Sequence, residues 1–315
     1  MKTTTLTYPS RDGASTVRSL LWEQDGGSSP RGIVQIVHGM SEHIERYRPF
    51  AESLCDAGYA VCANDHIGHG ATAFREADLG HMPLDSGEDI LISDVHALRG
   101  LVSGRFADDT GAAVPYVVFG HSMGSFITRV YLTRHAFGVR AAVLCGTGHQ
   151  PRALSGAGRV LTRALGRSRG ERYVSPLVDG LGVGAYAKAI EGARTESDWI
   201  CTDPAVVDAY RADPRCGQAF TVGAYHTLST LVSHATDARL AARIPRSLPL
   251  LFIAGDADPV GECGAGVHRA AEQYRSAGME RVDEVLYEGM RHEILNEPGR
   301  ADVYADVIAW LEDVL

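Results

Sequence analysis

Apolar residues recur along this chain in two rhythms. Short, nearly continuous runs at Ile33–Val37, 59–63, 114–119, 140–145 and 249–254 are bounded by glycines and polar turns. Runs of that kind predict strands buried on both faces. Between them the spacing becomes helical: Tyr47, Phe50, Leu54 and Cys55, then Ile90, Leu91, Val95, Leu98 and Val102, then Phe126, Ile127, Val130 and Tyr131. The first 23 residues alternate around Arg11-Asp12-Gly13, a hairpin signal, and Asp25 to Pro30 reads as a loop. The alternation of strand and helix breaks at residue 149. From there to about 245 the pattern is helical and glycine-containing, without a central strand. It resumes with the strand at 249–254, a helix over about 264–277, a strand at 282–287 and a last helix at 301–314. The expectation is an α/β chain: a parallel sheet covered by helices, with core segments 1–148 and 246–315 and an insertion, 149–245, over the carboxyl edge of the strands.

The run Val117-Val118-Phe119 stops at Gly120-His121-Ser122-Met123-Gly124, and a helical pattern starts at once. A G-x-S-x-G motif between strand and helix fits a nucleophile elbow with Ser122 as nucleophile. Both glycines serve the close backbone approach that such a turn demands. The helix beyond directs its positive end at any oxyanion formed there.

A serine nucleophile needs a base, and the base needs a carboxylate. In the chain order Ser, Asp or Glu, His, only His268 and His292 follow the acidic turn. His268 lies in a helical stretch, whereas His292 follows a strand in a short loop, so His292 is the expected base. Asp256 and Asp258 both lie in the turn after the strand at 249–254. Asp258 precedes Pro259, which holds its backbone extended, and it is favoured as the triad acid over Asp256. The backbone amides of Met123 and Met40 are the candidate oxyanion donors. His38, Gly39, His43 and His121 are the candidate substrate contacts around them, with a structural hydrogen bond the favoured role of His43 and packing beneath the site that of the His121 side chain. His66 and His69 have no metal-ligand spacing and read as a loop tied down by Asp65. Arg291 and Glu293 read as residues that fix the loop of the base.

Composition narrows the field. A formal charge of −9 on 315 residues argues against a nucleic-acid partner. Six scattered cysteines without paired spacing argue against a zinc site or a disulfide scaffold. Neither metal nor organic cofactor is expected. No secretory apolar segment and no membrane-spanning run is evident, which points to the cytoplasm. Residues 151–173 hold six arginines against one acid, with Arg159, Arg163 and Arg167 on one helical face. That face is either a solvated helix surface or a transient contact with an anionic membrane.

The stretches VHGMSEHIERY (37–47), DHIGHG (65–70), GHSMGS (120–125), AGDADPVG (254–261) and GMRHEILNE (289–297) together resemble the monoacylglycerol lipase and lysophospholipase branch of the α/β-hydrolase superfamily. The 198–217 stretch of the insertion resembles bacterial members. The resemblance implies a mostly parallel eight-stranded sheet and a helical cap inserted after the sixth strand. It supports Asp258 as the acid and implies hydrolysis of a small lipid ester, a monoacylglycerol. A lysophospholipid or a short-chain ester is the alternative within the class. More remote are a perhydrolase, a C–C hydrolase or a non-catalytic binding protein on the same scaffold.

Overall fold

The computed structural model describes residues 1–26, 29–106 and 113–315, so Gly27 and Ser28 of the expected Asp25–Pro30 loop lie outside the described residues. Eight strands form one sheet: β1 (Lys2–Pro9), β2 (Thr16–Glu23), β3 (Ile33–Val37), β4 (Ala60–Asn64), β5 (Tyr116–His121), β6 (Ala141–Cys145), β7 (Leu250–Gly255) and β8 (Val282–Tyr287). Their spatial order is β1-β2-β4-β3-β5-β6-β7-β8. The opening hairpin is antiparallel and β2 runs antiparallel to β4. All pairings from β4 through β8 are parallel.

The continuous apolar runs follow from burial on both faces. Val34, Ile36 and Phe119 face α1 (Arg48–Asp56) and α11 (Arg300–Val314). Ile33, Val37 and Val118 belong to the cluster containing α2 (Gly87–Arg105), α3 (Met123–His135) and α10 (Ala265–Ser276). Gln35, buried in the middle of β3, is satisfied by the Tyr116 hydroxyl at 2.8 Å and by the Val95 carbonyl at 3.0 Å. Leaving such an amide without partners would cost about 1–3 kcal/mol.

The insertion follows β6. It comprises α4 (Arg152–Arg169), α5 (Pro176–Leu181), α6 (Val183–Ala187), a single turn at Asp198–Ile200, α7 (Pro204–Ala212), α8 (Val222–Ala235) and α9 (Ala238–Ala241). Its last part, α8, packs on α2 and α3 within the main apolar cluster. The buried Arg129 of α3 ties this region together. It donates to Thr147 Oγ1, to the Gly148 and Ala235 carbonyls and to the Tyr274 hydroxyl, at 2.8–3.2 Å. Among the described residues, no helix is long and apolar enough to cross a membrane.

Candidate active site

Ser122 stands between β5 and α3 with φ 54° and ψ −120°, a conformation that costs an L residue about 1–3 kcal/mol. The turn survives because its neighbours leave no alternative. The Ser122 amide donates to the Cys145 carbonyl at 2.9 Å. A Cβ on Gly124 would lie 1.9 Å from the Val37 carbonyl oxygen, and one on Gly120 would lie 2.4 Å from the Gly124 oxygen. Backbone therefore passes where side chains would otherwise be, as the motif requires.

Asp258 and His292 come from the ends of β7 and β8. Both are buried, and His292 Nδ1 donates to Asp258 Oδ2 at 2.9 Å, while Oδ1 accepts the Val260 amide. His292 Nε2 is buried without a hydrogen-bond partner, and His292 and Ser122 border the same cavity. Asp256 has other work: its Oδ1 accepts the Gly289 amide at 2.7 Å and ties the two turns to each other.

Gly39 packs against the nucleophile, since a Cβ there would lie 3.1 Å from Ser122 Cβ. Its amide donates to Glu42 Oε1 at 2.6 Å. The amides of Met40 and Met123 donate to no protein acceptor among the described residues, and both residues border the cavities beside Ser122. His121 lies beneath the site. Tyr47 donates its hydroxyl proton to Glu42 and accepts from His121 Nδ1 at 2.8 Å. Burial alone would lower the His121 pKa, but the hydrogen bond and charge of Glu42 outweigh it and raise it. Burial likewise opposes ionisation of Glu42, yet His121 and Arg46 hold its carboxyl well below the usual range.

Two of the expected substrate contacts are placed elsewhere. His38 and His43 border neither cavity beside Ser122. His38 accepts the His66 amide at 3.0 Å and stacks on the His66 ring, so it supports the loop from below. His43 Nε2 bonds Asp213 of the insertion at 2.8 Å. Asp65 accepts the Ile44 and Ala71 amides at 3.0 and 2.9 Å, which pins the loop as its position suggested.

Two chambers meet at Ser122. One, of about 430 Å³, is lined mainly by apolar groups such as Phe126, Leu161, Val178, Leu181 and Val232. The other, of about 280 Å³, is bordered by Ser41, Tyr210, Gln218, His292 and several carboxylates. Trp199 of the insertion borders both and lies 5.0 Å from the His292 ring, centroid to centroid. Sequence reasoning missed Trp199, because a lone tryptophan in an irregular stretch carries no periodic signal.

The family described as serine aminopeptidase, S33, matches residues 28–299. The monoacylglycerol lipase of Mycolicibacterium smegmatis is 30% identical over 296 residues, covering 92% of this chain and 91% of the relative. The thermostable carboxyl esterase from Bacillus coagulans, solved in complex with glycerol, superposes with a TM-score of 0.90 at 29% identity, covering 100% of this chain and 99% of the other. A soluble variant of the Saccharomyces cerevisiae monoglyceride lipase has a TM-score of 0.75 at 17% identity, covering 98% and 94%, and shares the fold. With the elbow, the parallel sheet and the inserted helices in place, the chain belongs to the serine aminopeptidase S33 family of the α/β-hydrolase superfamily.

Proposed function

We propose that the protein is a serine carboxylic-ester hydrolase that cleaves monoacylglycerols. The observation that carries this reading is the position of Ser122 at the meeting of an apolar chamber and a more polar one, with His292, paired to the buried Asp258, on the more polar side. His292 takes the Ser122 proton through its free Nε2 as the hydroxyl attacks the ester carbonyl. The Met40 and Met123 amides hold the tetrahedral oxyanion. The ester C–O bond then breaks, and the imidazolium returns the proton to the leaving alcohol. Water, deprotonated by the same His292, releases the fatty acid from the acyl-enzyme. Asp258 keeps the imidazole in the required tautomer and stabilises its charged form. The lipase and esterase names of the relatives support this assignment.

Fluorophosphonate labelling tests the reading. Intact protein labels, Ser122→Ala does not, and mass spectrometry after incubation with a monoacylglycerol finds the acyl adduct. Failure of the intact protein to label sinks the proposal. Met40→Pro removes one oxyanion donor, and a turnover loss of about 10²–10³ is expected.

The insertion acts as the cap and makes transient contact with lipid surfaces. Leu154 and Leu181 border the mouth of the apolar chamber and are exposed, as are Val160 and Leu177. Arg163 and Arg152 are engaged by Asp85 and Asp237, which leaves Arg159 and Arg167, on the α4 face they share with Arg163, without an ion pair among the described residues. Flotation with neutral and anionic vesicles checks this: Leu181→Asp lowers binding to both, and unchanged binding overturns it. All six cysteines are free, which favours a reducing, cytoplasmic setting.

A further inference from the structure

The polar chamber beside Ser122 is bordered by four carboxylates, Glu42, Asp179, Glu196 and Glu293, and by no lysine or arginine. Two of the four are neutralised from behind. Arg46 donates to Glu42 at 2.8 Å and to both oxygens of Glu293 at 2.7 and 2.6 Å. Asp179 and Glu196 have no ion pair among the described residues. Asp179 is fixed in place, since its Oδ1 accepts the Tyr225 hydroxyl at 2.7 Å. Tyr225 borders the apolar chamber, so Asp179 stands on the divide between the space for the acyl chain and the space for the alcohol. Glu196 is exposed and lies at the chamber's rim.

A chamber meant for a phosphate-bearing alcohol needs cationic donors, because a phosphate dianion is recognised by guanidinium or ammonium groups. This one offers acceptors and uncompensated negative charge. Hydroxyl groups of a polyol can donate to carboxylate oxygens, and a small organic cation is attracted by them. An anionic leaving group is repelled as it enters, and each carboxylate within several ångströms weakens its binding about tenfold in a partly screened site.

We propose that the polar chamber selects the leaving alcohol by charge: it accepts an uncharged polyol or a cationic alcohol, rejects one that carries phosphate, and relies on Asp179 and Glu196 to do so. This rests on the ester-hydrolase reading above and narrows it against the lysophospholipid alternative.

The test compares three esters of one acid, each held below its micelle concentration: 1-decanoylglycerol, decanoylcholine and 1-decanoylglycerol 3-phosphate. At low salt, kcat/KM for the glycerol and choline esters exceeds that for the phosphate by about ten- to a hundredfold. Added salt narrows the gap severalfold, as screening requires. The Asp179→Asn, Glu196→Gln double variant narrows it by about tenfold or more, read as the ratio between substrates. Glu196→Gln alone changes an exposed side chain and narrows the ratio in the same direction, so the test survives misfolding of the double variant. Hydrolysis of the phosphate ester as readily as the glycerol ester overturns charge selection alone. So does a gap that neither salt nor the variants change. Absence of turnover on all three esters, with no fluorophosphonate labelling, overturns the hydrolase reading itself.

Discussion

Arg46 grips both carboxylate oxygens of Glu293, at 2.7 and 2.6 Å, and Glu293 is the residue after the candidate base. Glu293 is buried and the Arg46 side chain is 14% exposed, and Arg46 also reaches Glu42, whose other oxygen holds the Gly39 amide. One guanidinium thus links the loop carrying His292 to the loop carrying Met40, one of the two candidate oxyanion donors. Glu293→Ala leaves that cation short of a partner. A stability loss of roughly 3–5 kcal/mol is expected from urea unfolding. Turnover should fall through kcat more than KM, because the damage lies in positioning. Arg46→Met with Glu293→Leu should recover part of the stability and none of the rate. Unchanged kcat in Glu293→Ala contradicts the linkage.

The two aspartates of the β7 turn have separable roles. Asp258→Asn breaks the tautomer control of His292, and a kcat loss on the order of 10⁴ is expected. Asp256→Ala removes one hydrogen bond to the Gly289 amide and should cost no more than about tenfold, with a stability loss of about 1 kcal/mol. Steady-state kinetics on a p-nitrophenyl ester decides. Equal losses in the two variants would reassign the acid.

Glycines make a contrast within one protein. Gly124→Ala places a Cβ 1.9 Å from a carbonyl oxygen that cannot move, so soluble expression should collapse. Gly156, inside α4, has nothing within 4 Å of its Cβ position. Gly156→Ala should raise stability by roughly 0.5–1 kcal/mol, read as a higher melting temperature.

Three buried histidines weaken the fold in mild acid. The ring centroids of His66 and His69 lie 4.0 and 5.3 Å from that of His38. Burial lowers the pKa of all three, with His38 pushed down to about 3, and the charge of neighbouring imidazoles adds to the shift in His38 and His66. Below the unfolded value of about 6.5, the unfolded chain takes up protons that the native state refuses. Stability is therefore full above that value and falls as pH drops, by roughly 1.4 kcal/mol per pH unit for each ring. Asp94, raised by burial to about 6, opposes this over a narrower range, whereas the raised His121 acts only above about pH 6.5, where its contribution is lost as pH rises. Melting temperatures should decline steeply from about pH 6.5 downward, and more gently in His69→Phe. A flat profile sinks the account.

Much of this was legible in the chain itself. Continuous apolar runs marked β3 to β7, and the elbow around Ser122 declared itself because its geometry restricts local residue types. The turns carrying Asp258 and His292 followed from their place after late strands. Residues that act across long sequence distances left no such trace. The ring of Trp199 beside His292, the grip of Arg46 on Glu293 and the placement of Asp179 between chambers depend on tertiary approach alone. His38 misled for a related reason: nearness to the oxyanion loop in sequence says nothing about which way a side chain points, whereas His43 makes a structural hydrogen bond, the role favoured for it. Of the face formed by Arg159, Arg163 and Arg167, Arg163 is engaged by Asp85, an acid distant in sequence that no local pattern could announce.

The insertion is fastened to the loop of the base at its middle. Arg291 holds the Asp198 and Cys201 carbonyls, Glu293 donates its amide to the Ile200 carbonyl, and Glu297 binds Thr202. The helices α4, α5 and α6 carry none of those bonds. Sequence drift in that portion leaves those bonds untouched, while residues 198–202 and the 291–297 loop shift only together.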